Sequence, residues 1–229
     1  MIEKLFNLKN VRNKKLGKNI ILTLIFQLAT VATSFVILPI SLSIVPVEEY
    51  GVWLTISSVF VWLGYFDLGL GTGLKNRLGE ALANSDTLLA RKLISTSYFT
   101  MLCIMSLLSL VYFFVATKLD FVKIFGSPNE AIVSKELLVY TANIVVYVFI
   151  VRFILQLINP IFDAFQKLFT TKLIMVLSQI LVLISLLIVK NNFHANIFTL
   201  GLVFSFSPVF ILVIVSIIFF LKIKIYLQV

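Results

Sequence analysis

Charge, cysteine and histidine are all scarce in this chain, and each shortage removes a class of function. Only 13% of the 229 residues are charged, against roughly 25% in a soluble domain. The single cysteine, Cys103, lies inside an apolar run, so no intrachain disulfide can form. The single histidine, His194, has no cysteine or carboxylate at ligand spacing, and no metal site is expected. Acidic residues number only 10. They form no carboxylate dyad and no nucleophile–base pair can be placed, so neither an enzyme nor a cofactor is expected.

In place of polar residues the chain has hydrocarbon. Apolar residues make up 60% of it, and the mean hydropathy is +1.09. The formal net charge of +9 does not point to nucleic acid, because the basic residues sit between apolar runs rather than on one soluble face. Six such runs occur, at about 20–45, 51–71, 94–116, 137–160, 171–189 and 197–221. Each has about the 17–25 residues that cross a bilayer core. The composition therefore predicts an all-α polytopic membrane protein with six transmembrane helices, residues 19–229, behind a basic leader, residues 1–18.

The leader carries Lys4, Lys9, Arg12, Lys14, Lys15 and Lys18 against Glu3. It reads as a solvated segment that fixes topology, with a short surface helix as the alternative. The apolar run that follows is too long for a signal core and lacks a cleavage site, so it is expected to stay as the first span. Of the 19 Lys and Arg, fourteen fall on one side of the alternating topology and four on the other, Arg152 being inside a span. The positive-inside rule then places both termini in the cytoplasm.

Polar residues within the spans are patterned. In the first, Thr23, Gln27, Thr30, Ser34 and Ser41 lie within an arc of about 60° at 100° per residue. In the fourth, Thr141, Arg152, Gln156, Asn159 and Asp163 do the same. Such stripes are expected to face other helices or a shared wet hollow, since lipid offers no hydrogen bonds. For a lone Ser or Thr, plain interhelical bonding is the simpler reading. Arg152 lies roughly 12 Å deep at 1.5 Å per residue, and a central Arg costs about 2.5–3.5 kcal/mol on insertion scales. Either it pairs with Asp67, the acid near the end of the second run, or it faces a cavity and binds an anion. Lys75 and Arg77 follow Asp67 at the cytoplasmic mouth, as anchors or as recruiters of an anionic group.

Other residues have structural expectations. Tyr50 and Trp53 fit an interfacial aromatic belt. Pro39 and Pro208 are expected to bend their spans, Ser205 or Ser207 helping to satisfy the carbonyl that Pro208 frees, and Pro160 to end the fourth. Gly69 and Gly73 form a small-xxx-small pair suited to close helix approach or a local break, not a phosphate loop. The second span is expected to run on into the amphipathic segment beyond it.

The segments EEYGVWLT at 48–55 and FDLGLGTGLKNRLGEALA at 66–83, behind a basic leader, resemble the polysaccharide-biosynthesis flippases of the multidrug/oligosaccharidyl-lipid/polysaccharide exporter superfamily. The likeness extends more loosely over all six spans. It implies one six-helix lobe of a two-lobe bundle that alternates between inward- and outward-open forms. The implied activity is flipping of an undecaprenyl-pyrophosphate-linked oligosaccharide across the bacterial cytoplasmic membrane for surface polysaccharide synthesis. Arg152, Gln156, Asn159, Gln27, Thr30, Asp67, Lys75 and Arg77 would be the substrate-binding set. The lipid-linked oligosaccharide, membrane lipids and a second lobe or another copy of the chain would be its partners, and nucleic acid would not. A drug or cation exporter of the same superfamily, and a truncated or non-transporting membrane protein, are the alternatives.

Overall fold

The computed structural model describes residues 2–64, 69–125, 133–192 and 195–226, with side chains placed at 17, 19–61, 69–125, 133–191 and 195–222. Asp67 and His194 lie outside the described residues, so the Asp67–Arg152 pairing has no structural counterpart here. The described chain forms α1 (Ile2–Ile44), α2 (Val47–Gly64), α3 (Leu70–Ala83), α4 (Thr87–Ala116), α5 (Phe121–Phe125), α6 (Lys135–Leu155), α7 (Ile158–Ala164), α8 (Leu168–Asn192) and α9 (Ile197–Tyr226). No strand occurs among the described residues.

Five segments are long and apolar enough to cross a membrane: Asn19–Ile44, Thr87–Ala116, Lys135–Ala164, Leu168–Asn191 and Ile197–Lys222. The protein is an all-α, polytopic membrane protein. The run expected as a sixth span appears as α2, with 18 residues. The leader is not a separate element, because α1 is helical without interruption from Ile2.

Local chemistry sets the helix boundaries. Asp86 accepts the Leu89 N–H at 2.9 Å and starts α4, Ser134 accepts that of Leu137 at 3.3 Å and starts α6, and Asn196 accepts that of Thr199 at 3.1 Å to start α9. Two turns at one end of the bundle share one design. After α3, Ser85 is left-handed (φ 56) and the Asp86 N–H reaches the Ala81 carbonyl. After α7, Gln166 is left-handed (φ 57) and the Lys167 N–H reaches Phe162. Both are Schellman motifs built without glycine.

The second span does not run on into the amphipathic segment. α2 ends at Gly64, and α3 starts afresh behind Gly69, whose φ of 73 suits a residue without a Cβ. Pro160 does not end the fourth span at its own position either. It sits inside α7, and the break falls at Gln156–Leu157, four residues earlier. A proline removes the N–H that would bond the carbonyl of residue i−4 and its ring crowds that carbonyl. The Gln156 carbonyl accepts from Asn159 instead, at 3.0 Å.

Packing runs as a row, α1 on α8, α8 on α9, α9 on α6 and α6 on α4, with α3 closing against α4 and α7. α2 lies across α9, α6 and α1. Two apolar cores divide the bundle, one at the α5 end and one at the α3 end. The core at the α5 end joins Ile56, Phe121, Leu138, Leu186, Ile197 and Leu200. That at the α3 end joins Leu78, Met101, Phe153, Ile158, Ile161 and Phe219. Tyr50 and Trp53 belong to the first core, 8% and 5% exposed, and not to an interfacial belt. Trp53 rests on Phe204, ring centres 5.4 Å apart.

Candidate anion-binding site

The α5 end of the bundle has its closest helix crossing. A Cβ placed on Gly201 of α9 would stand 3.0 Å from Thr141 Cγ2, 3.3 Å from Val145 Cγ2 and 3.7 Å from the Trp53 ring. Gly201 therefore brings α9, α6 and α2 to one point. Gly69 and Gly73 do not act in this way, since a Cβ on either would meet nothing within 4 Å. Glu49, in the first turn of α2, adds a polar tie by accepting the Ile197 N–H at 2.8 Å. A carboxylate at a helix N-terminus is well placed electrostatically. Burial, outweighing that backbone bond, pushes the Glu49 carboxyl above its ordinary value.

Away from this junction α2 loosens. Among its described side chains Tyr50, Val52, Trp53 and Ile56 are buried, whereas none from Ser57 to Val61 is. A ring contact of Phe60 with Phe149 of α6, at 5.1 Å, continues the α2–α6 approach. Arg152 follows Phe149 by three residues. It shares the α6 face of Thr141 and Val145, about 10 Å further along the axis from Val145 at 1.5 Å per residue.

Arg152 is partly buried, and its Nε is sealed from solvent without a hydrogen-bond partner. The ion pairs among the described residues, Lys75–Asp163 and Lys123–Asp120, leave it out. An unsatisfied buried donor costs about 1–3 kcal/mol, and more when charged. Seven residues on, Asn159 repeats the pattern: it is partly buried and its Oδ1 is sealed and unpartnered. Gln156 lies between them, at the C-terminus of α6, also partly buried. The row ends at Asp163, whose Oδ2 lies 3.9 Å from Lys75 Nζ and whose Oδ1 accepts the Thr171 hydroxyl at 3.2 Å. Lys75 thus ties α3 to α7, while Arg77 is exposed.

The first-span stripe belongs elsewhere. α1 packs on α8, and its hydroxyls fold back on their own helix. Thr23, Thr30, Ser34 and Ser41 bond the carbonyls of Asn19, Phe26, Thr30 and Ile37 at 2.7–3.0 Å. Thr30 is buried and Gln27 partly so. The cross-helix bond of this stripe runs from Gln179 Nε2 of α8 to Ser34 at 3.0 Å. Arg152, Gln156 and Asn159 thus follow one another along α6 and α7 toward the Lys75–Asp163 pair, whereas Gln27 and Thr30 lie on α1, which packs on α8.

Proline compensation also differs from expectation. Ser207 bonds the Val203 carbonyl at 2.7 Å, one residue before the carbonyl that Pro208 frees. Three contributors were not legible as such: Gly201, Glu49 and Gln179, whose Oε1 is also buried and unpaired. Glu49 beside the buried Tyr50 and Trp53 was the available signal, as the acid at the start of an apolar helix. Comparison with family models, curated proteins and solved structures returned no match.

Proposed function

We propose that this protein is one lobe of a membrane transporter that carries the anionic head of a lipid-linked oligosaccharide through the bilayer. The supporting observation is the sealed, unpaired Nε of Arg152 inside a membrane-spanning helix. An intramembrane cation is retained against a cost of several kcal/mol only where something anionic or polar meets it. A phosphate oxygen supplies short, charge-assisted hydrogen bonds to a guanidinium. Gln156 and Asn159 extend the polar path from Arg152 toward the mouth at Lys75, and the exposed Arg77 there adds positive charge.

The α2 arrangement fits the same task. It is anchored at the α5 end by Glu49, Trp53 and the Gly201 junction, and none of its residues from Ser57 to Val61 is buried. A head group would enter from the α3 end while the far end stays shut. The excess of Lys and Arg on that side supports a cytoplasmic α3 end and cytoplasmic termini. The other wall of the path would be a second lobe or a second copy of the chain. The likeness of segments 48–55 and 66–83 to oligosaccharide flippases agrees with this reading, and a bacterial cytoplasmic membrane is the proposed location. Replacing Arg152 with Ala should abolish flipping of a labelled undecaprenyl-pyrophosphate-linked sugar in proteoliposomes while yield and insertion persist. Undiminished flipping would reject the assignment.

A further inference from the structure

Arg152 and Asn159 leave complementary groups unsatisfied. At Arg152 the sealed orphan is a donor, Nε; at Asn159 it is an acceptor, Oδ1. A bare phosphate or pyrophosphate satisfies the first and not the second, because a fully ionised anion has only acceptors to offer. A ligand that quiets both must accept at one end and donate at the other. The two positions are seven residues apart, Arg152 in the last turn of α6 and Asn159 in the first turn of α7, roughly 10 Å at near-helical rise. A pyrophosphate followed by one sugar ring spans a comparable length and has that polarity, its phosphate oxygens accepting and its hydroxyls donating.

Order along the row gives the same orientation. From the mouth inward the side chains run Asp163 with Lys75, then Asn159, Gln156 and Arg152. A lipid-linked sugar lying with its tail toward the bilayer interior has its pyrophosphate deeper and its sugar nearer the mouth. Asp163 does not oppose this, since Lys75 and the Thr171 hydroxyl already engage its carboxylate. We infer that Asn159 is a sugar subsite, its Oδ1 accepting a hydroxyl of the saccharide next to the pyrophosphate that Arg152 holds. This rests on the anion-binding reading of Arg152 and adds to it the recognition of the first sugar.

Binding by the full chain in nanodiscs tests both levels separately. The probes are undecaprenyl pyrophosphate and undecaprenyl-pyrophosphate-N-acetylglucosamine. The wild-type protein should bind the sugar-bearing probe roughly tenfold more tightly, the order expected for a hydrogen bond that relieves a buried orphan. Asn159→Ala and Asn159→Leu should remove that preference, so that each binds the two probes with affinities within about twofold of one another, while circular dichroism and thermal unfolding check that each variant is folded. Arg152→Gln should weaken both probes alike. If the sugar preference is missing in the wild type or survives in both Asn159 variants while Arg152→Gln still weakens binding, the sugar subsite is refuted and the anion site stands. If Arg152→Gln weakens neither probe, or the wild type binds neither, both readings fall.

Discussion

Gly201 offers a perturbation whose outcome can be worked from distances. An alanine Cβ there would stand 3.0 Å from Thr141 Cγ2 and 3.3 Å from Val145 Cγ2, where carbon atoms prefer about 3.5–4.0 Å. Both neighbours are buried, at 0% and 4% exposure, so they have little room to yield. For Gly201→Ala the gain in helix propensity, up to about 1 kcal/mol, offsets a displacement of a few tenths of an ångström. Gly201→Val adds two further methyl groups at the same crossing and should destabilise by about 1–3 kcal/mol, the usual cost of overpacking. Thr141→Ser deletes the clashing Cγ2 and keeps the hydroxyl that bonds the Leu137 carbonyl at 2.7 Å. Alone it should cost about 0.8 kcal/mol for one methyl group. Combined with Gly201→Val it should recover part of the loss, a coupling of at least about 0.5 kcal/mol. Denaturant unfolding of the four proteins in one detergent gives the cycle. Strict additivity, or a neutral Gly201→Val, would refute the three-helix junction.

Two further outcomes follow from the polar ties. Glu49→Ala should cost about 0.5–2 kcal/mol as a lost cap on α9. Because the folded Glu49 carboxyl titrates above its ordinary 4.5, its protonated form favours the folded protein. That contribution is complete below about pH 4.5 and is lost as pH rises through the raised value. Melting temperature against pH should show this decline in the wild type and not in Glu49→Gln. Lys75→Ala should lower stability by no more than about 1 kcal/mol, because a half-exposed pair at 3.9 Å is screened by solvent. A larger loss in unfolding measurements would mean that the α3–α7 tie matters more than its geometry implies.

Hydropathy made five of the six expected spans legible, with boundaries within about four residues of the apolar runs except at the start of α4, where the helix begins at Thr87, seven residues before the apolar run, behind the Asp86 cap. Facing was much less legible. In a membrane, core and lipid are equally apolar, so hydrophobic periodicity does not say which side of a helix meets protein. Phe35 is 75% exposed on α1 and Phe153 is 6% exposed on α6, yet nothing in composition separates them. Of the two surroundings expected for the α1 stripe, it meets another helix, α8. A Ser or Thr in a helix can satisfy itself on the carbonyl four residues back, so a hydroxyl stripe is weak evidence of a wet path. Arg152 stood out because a guanidinium carries five donors that one carbonyl four residues back does not satisfy, whereas an amide can take that route, as Asn143 does on the Val139 carbonyl at 2.8 Å. Tyr50 and Trp53 were misplaced because aromatic residues near a span's end serve the interface and the core equally well.

The central claim is that Arg152, which joins no ion pair among the described residues and leaves its buried Nε unsatisfied, serves an anionic ligand. Its most direct test is thermal unfolding of wild type and Arg152→Met, each with and without undecaprenyl pyrophosphate. An apolar side chain of similar length should raise ligand-free stability, by about 1–3 kcal/mol on the precedent of buried charges replaced by hydrophobic residues. The ligand should stabilise the wild type alone, by about 2.7 kcal/mol at a hundred times its dissociation constant. If Arg152→Met is less stable than the wild type and equally stabilised by the ligand, Arg152 is a structural residue and the account is contradicted.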